Sequence, residues 1–81
     1  MKALVTGATG FTGGHLARHL RRQGFDVAAL VRPSSLNRTD ALKREGVEIR
    51  VGDLTDAAAV HAACEGIDIV FHIAATYREA G

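Results

Sequence analysis

Residues 4–13 read Leu4-Val5-Thr6-Gly7-Ala8-Thr9-Gly10-Phe11-Thr12-Gly13. An apolar run stops at Thr6, glycines follow at Gly7, Gly10 and Gly13, and a helical pattern begins at once. A strand that turns sharply into a helix leaves the helix's first N–H groups unpaired. The helix dipole adds roughly half a positive charge at the same spot. Such a turn is an anion site, suited to the diphosphate of a dinucleotide. Each glycine then has an expected task. Gly7 allows the tight turn, Gly10 lets the backbone approach a diphosphate, and Gly13 removes a Cβ where the helix packs on the strand. The candidate cofactor cradle is therefore Gly7, Ala8, Thr9, Gly10, Phe11, Thr12 and Gly13.

A glycine pattern alone is weak, so its surroundings decide. Strand 1 is expected at about residues 2–6 and the first helix at about 11–23, where Gly13, Leu16, Ala17 and Leu20 share one face. His15, Arg18, His19, Arg21 and Arg22 make its polar face, with positive charge gathered favourably toward the C-terminal end, and Gly24 stops it. Strand 2 follows at about 26–32. Strand, glycine turn, helix and strand thus fit into about 30 residues, as a dinucleotide-binding unit requires.

The alternation continues. Pro33-Ser34-Ser35 reads as a loop, and Asn37 or Thr39 caps a short helix running to Glu45 and closed by Gly46. Strand 3, Val47 to Val51, alternates apolar and charged residues, which suits an edge strand with one wet face. Thr55 is expected to cap a third helix that turns Ala57, Val60, Ala63 and Cys64 inward and ends at Gly66. Strand 4, Ile67 to Ala75, is nearly all apolar and is expected to be buried on both faces. The βαβαβαβ order predicts an α/β fold: a parallel sheet with helices on both faces and right-handed crossovers. The predicted strand order is 3-2-1-4. Because strand 4 would normally have a further strand beside it, residues 1–81 read as the N-terminal part of a larger protein, a partial Rossmann domain.

Bulk properties narrow the function classes. A net charge of +1 offers no electrostatic argument for nucleic acid or an anionic membrane, and no apolar stretch approaches the length of a membrane helix. Cys64 is the only cysteine, which rules out an internal disulfide and suits a reducing cytoplasm. His15 and His19 stand one helical turn apart without a third ligand, so no metal site is expected. His61 reads as solvated, Cys64 as a core-packing residue, and His72, in the most apolar strand, as a hydrogen-bonded core histidine.

Three segments beyond the glycines carry chemistry. At the end of strand 2, an NAD site would place a carboxylate about 20 residues beyond the glycines. Val31 and Arg32 stand there instead. Arg32 could pair with a ribose 2′-phosphate, assisted by Ser34, Ser35 or Arg38, which favours NADP with NAD as the alternative. A merely solvated arginine is the competing reading. At the end of strand 3, Asp53 could accept a hydrogen bond from the adenine amino group while Leu54 packs on the ring; otherwise Asp53 caps the third helix beside Thr55. At the end of strand 4, the small residues Ala74 and Ala75 leave room for ribose and nicotinamide.

Together these segments resemble the extended short-chain dehydrogenase/reductase superfamily, in its NAD-dependent epimerase/dehydratase branch. Thr6 to Gly13 match Thr-Gly-x-x-Gly-Phe-x-Gly, Gly52 to Leu54 match Gly-Asp-Leu, and Val70 to Ala75 match the strand ending in Ala-Ala. Leu-Val-Arg-Pro at 30–33 and Ala-Ala-Thr-Tyr-Arg at 74–78 are most similar to the dihydroflavonol reductase-like group, including hopanoid-associated sugar epimerases. The resemblance implies hydride transfer to or from a nucleotide sugar or small carbonyl compound. It also implies a homodimer of the parent as a further expectation.

The chain departs from that family in one respect. Catalysis there uses a Tyr-x-x-x-Lys pair with an upstream Ser or Thr. Tyr77 is the only tyrosine and is followed four residues on by Gly81. No catalytic residue is therefore assigned; Tyr77 is expected near the ligand entrance, and Thr76 is a candidate substrate contact. The alternative to an enzyme's cofactor half is a non-catalytic dinucleotide-binding sensor or structural module.

Overall fold

The computed structural model describes residues 1–73, apart from the side chain of Phe11. Eight elements follow one another: β1 (Lys2–Thr6), α1 (Phe11–Arg22), β2 (Asp26–Val31), a 3-10 helix (Pro33–Arg38), α2 (Asp40–Arg44), β3 (Glu48–Val51), α3 (Ala57–Ala63) and β4 (Ile69–His72). The strands form one parallel sheet in the order β3-β2-β1-β4, as expected from the alternation. Leu4 lies between Ala28 on β2 and Val70 on β4, which fixes the register at the centre.

Alternate strand residues face opposite sides, so the sheet has two cores. On one side Ala3, Val5, Val27, Ala29 and Val31 pack with Ala17 and Leu20 of α1 and Leu42 of α2. On the other, Leu4, Ala28 and Leu30 pack with Ala63 of α3, against which Val60, Cys64 and Ile67 are partly buried. The inward face of α1 matches the periodicity of its apolar residues. On α3, Val60, Ala63 and Cys64 turn inward as expected, but Ala57 in the first turn is exposed. Each helix ends within a turn of the glycine assigned as its stop.

Four further expectations need correction. Pro33-Ser34-Ser35 is no loop: the proline's fixed φ starts a 3-10 helix that runs to Arg38. Thr39 does precede α2, but its hydroxyl donates to the Leu36 carbonyl and caps nothing. Thr55 does not cap α3 either; the Asp56 carboxylate accepts from the Ala58 and Ala59 amides, because it stands one residue closer to the first turn. Finally, β4 is not buried on both faces. Ile69 and Val70 are 39% and 47% exposed, since among the described residues β4 hydrogen-bonds to β1 alone.

The polar face of α1 also does more than meet solvent. Arg21 donates from Nε to the Glu45 carbonyl and from Nη1 to the Phe25 carbonyl, both at 3.1 Å. It thereby ties the end of α1 to the turn that leads into β3. Arg22 adds an ion pair with Glu45 at 2.8 Å.

Candidate functional site

The glycine turn stands between β1 and α1 because position 7 has φ +72°, a conformation open to glycine. A Cβ there would also clash with the Ile73 carbonyl at the end of β4. Gly13 lies under the same turn: a Cβ on it would strike the Gly7 carbonyl and approach Ala8 Cα. The close neighbour that excludes a side chain at position 13 is therefore the turn itself, more than the strand behind it. Gly10 is the N-cap of α1, and no side chain caps the helix or brings an acid into its first turn. The first amides of α1 are thus left for an external acceptor, next to the positive end of the helix dipole.

Parallel strands deliver their carboxyl ends to one rim, and a crevice of about 410 Å³ opens there. Gly7, Thr9, Arg32, Asp53 and Leu54, five of the residues expected to bind cofactor, line it together. They come from three different strand ends yet meet in one cavity. Ala8 and Gly10 border instead a neighbouring cleft of about 270 Å³, with Thr9 shared between the two. Thr12 is exposed on the first turn of α1, and Gly13 is buried beneath the turn. Ala74, Ala75, Thr76 and Tyr77 lie outside the described residues.

Asp53 is held by its own loop. Its Oδ1 accepts from the Thr55 amide at 3.0 Å and from the Thr55 hydroxyl at 2.9 Å. These bonds, backbone first, hold the Asp53 carboxyl below the usual carboxylate range, and the Arg32 guanidinium adds to the effect. Asp53 is thus anionic at neutral pH, with Oδ2 unengaged among the described residues. The competing role, a cap on α3, is filled by Asp56. Arg32 is exposed on the crevice wall. Of its suggested helpers, only Ser35 shares that wall; Arg38 lines the neighbouring cleft and donates to Ser35 Oγ at 3.3 Å.

Several lining residues escaped sequence reasoning. Leu30 and Val31 supply apolar wall. Gly52 is buried where a Cβ would press on Ala59 Cβ and Leu30 Cδ1, so α3 sits close under the Asp53 side of the crevice. Thr6 and His72 also line it, with Thr6 Oγ1 and His72 Nδ1 2.8 Å apart. His72 is hydrogen-bonded as expected but exposed, not a core residue. The signal was present: Thr6 and His72 are the polar residues that close the apolar runs of β1 and β4. His61 is exposed and Cys64 half-buried against the α3-side core. Among the described residues there is no cluster of three metal-binding side chains, and no helix is long and apolar enough to cross a membrane.

Residues 3–80 match the NAD dependent epimerase/dehydratase family, and the chain belongs to it. A provisional dihydroflavonol 4-reductase of Synechocystis sp. is 48% identical over 73 residues, covering 90% of this chain and 20% of that protein. Sterol demethylase protein B of Methylococcus capsulatus is 41% identical over 75 residues, covering 93% of this chain and 22% of its own length. Among solved structures, a nucleoside-diphosphate-sugar epimerase from Pseudomonas aeruginosa superposes with a TM-score of 0.82 at 37% identity, over 90% of this chain and 24% of that one. The chain therefore spans about a fifth of the length of the curated relatives it matches. The family is one of NAD(P)-dependent epimerases, dehydratases and reductases.

Proposed function

We propose that residues 1–81 are the cofactor-binding part of an NADP-preferring epimerase or reductase acting on a nucleotide sugar or small carbonyl compound. The observation that carries this reading is the meeting of Gly7, Arg32 and Asp53 in one crevice at the carboxyl rim of the sheet. The diphosphate lies against the amides of the turn from Gly7 to Gly13. The adenine amino group donates to Asp53 Oδ2, and Leu54, 48% exposed on the crevice wall, covers the ring. Arg32 forms charge-assisted bonds to the 2′-phosphate, with Thr9 and Ser35 beside it. Ala74 and Ala75 flank ribose and nicotinamide, and Thr76 touches substrate.

A solved relative, leucoanthocyanidin reductase from Vitis vinifera in complex with NADPH, is 26% identical and superposes with a TM-score of 0.82, in keeping with the NADP preference. The 81 residues contain no Tyr-x-x-x-Lys pair, so this chain binds dinucleotide without turning substrate over. It is a partial domain of a longer, cytoplasmic enzyme, and its partner in binding is a small molecule rather than nucleic acid or membrane.

Titration with NADP+ and NAD+ tests the assignment. The chain is expected to bind NADP+ at least about tenfold more tightly. Arg32→Ala should weaken NADP+ by about 10- to 100-fold, the worth of a hydrogen bond to a charged group, with little change for NAD+. Equal losses for both dinucleotides refute the phosphate role of Arg32, and a wild-type chain that binds neither refutes the dinucleotide site.

A further inference from the structure

Thr6 ends β1 immediately before the glycine turn and is only 3% exposed. Its Oγ1 accepts the Ile73 amide hydrogen at 3.2 Å and stands 2.8 Å from His72 Nδ1. These are the bonds its side chain makes among the described residues. A threonine hydroxyl carries one hydrogen, and a buried hydroxyl hydrogen needs an acceptor. If Nδ1 bore a hydrogen, Thr6 would accept twice and its own hydrogen would be stranded in the interior. The arrangement therefore makes Thr6 the donor and Nδ1 the acceptor. The neutral imidazole must then carry its hydrogen on Nε2.

His72 is exposed, lines the crevice and ends the strand on the side of the sheet away from Arg32 and Asp53. We infer that Thr6 fixes His72 as the Nε2–H tautomer, and that this N–H donates to an oxygen on the nicotinamide-riboside half of a bound dinucleotide. The inference rests on the dinucleotide reading above and extends it to the half of the molecule that the adenine-side residues do not reach. A histidine held by its Nδ1 is a fixed donor, so it discriminates by the presence of an acceptor oxygen at one place. The same bond joins the end of β4 to the residue that precedes Gly7.

The test uses two ligands and three forms of the full chain. NADP+ carries both halves, whereas adenosine 2′,5′-bisphosphate lacks nicotinamide riboside. His72→Asn offers an acceptor oxygen near the position of Nδ1, keeping the Thr6 bond while removing the ring N–H. It is expected to weaken NADP+ by about tenfold, the worth of one hydrogen bond at the upper end, and to leave the bisphosphate unchanged. Unchanged NADP+ affinity, or an equal loss for both ligands, overturns the inference. A second readout needs no ligand: long-range proton–nitrogen spectra of the neutral imidazole should show Nδ1 bare in the wild-type chain and a mixture of tautomers in Thr6→Val. An Nδ1–H imidazole in the wild-type chain, or one tautomer persisting unchanged in Thr6→Val, overturns it independently. If the wild-type chain bound neither ligand, the dinucleotide reading itself would fall, a result distinct from either of these.

Discussion

A methyl group at position 13 would land on the Gly7 carbonyl and close to Ala8 Cα. Neither is a flexible side-chain tip, so the turn must shift to admit it. Gly13→Ala is expected to cost about 1–3 kcal/mol, in the range of overpacking, while Thr12→Ala, one residue away and exposed, stays within about 0.5 kcal/mol. Urea unfolding midpoints of the two variants check this, and a tolerated Gly13→Ala would show that the helix can move off the turn. The need for small residues here was legible because a missing side chain leaves its mark in sequence spacing. The identity of what the glycine avoids was not, since the Gly7 carbonyl approaches only once the turn has formed.

At the scale of elements, hydrophobic period placed the helices and strands, and the C-terminal glycines placed the helix ends. Caps were harder to read. Thr39, Thr55 and Asp56 all stand near a helix start, and all have an oxygen that could accept an amide hydrogen. Geometry chose among them: Thr39 donates to Leu36, Thr55 donates its hydroxyl to Asp53, and Asp56 alone accepts from first-turn amides, those of Ala58 and Ala59. Asp56→Ala should therefore lower stability by about 1 kcal/mol and speed amide exchange at Ala58 and Ala59. Thr55→Ala should leave those amides protected and raise the Asp53 carboxyl only part of the way toward its ordinary range. The hydroxyl bond is lost, while the larger contribution, the bond from the backbone amide of residue 55, remains. Equal exchange in the two variants would contradict this division of labour. The candidate site was legible as far as strand ends could be counted, which brought Arg32 and Asp53 to one rim. Arg38 was misplaced because the 3-10 helix after Pro33 carries it round to the neighbouring cleft.

Along the strand direction the proposed binding crevice and an ion network stand at opposite rims of the sheet, the crevice at the carboxyl rim. Glu48 at the start of β3 accepts from Lys2 Nζ at 2.6 Å, reaching across β2 to β1, and from Arg50 Nε at 2.8 Å. Arg50 Nη1 in turn donates to the Ala63 and Glu65 carbonyls at 2.8 and 2.7 Å, closing the end of α3 onto the sheet. Hydrogen bonds from Arg50 and then Lys2 hold the Glu48 carboxyl below its usual range. The unfolded chain therefore takes up this proton first as pH falls. The stabilisation is fully present above the ordinary glutamate range and is lost as pH drops through the lower folded value. Because the Glu48 side chain is 47% exposed, each pair is worth no more than about 1 kcal/mol. Glu48→Gln should lower stability at neutral pH by that order and flatten the fall in stability below about pH 4.5, with NADP+ affinity at neutral pH untouched. Thermal midpoints from neutral to acid pH measure the first effect and titration the second. An unchanged acid slope would assign acid sensitivity to the other lowered carboxylates, Glu45, held down by its hydrogen bond from Arg22, and Asp53, held down by Thr55, and leave Glu48 a spectator. A loss of NADP+ binding would show that the two rims are mechanically coupled through the strands.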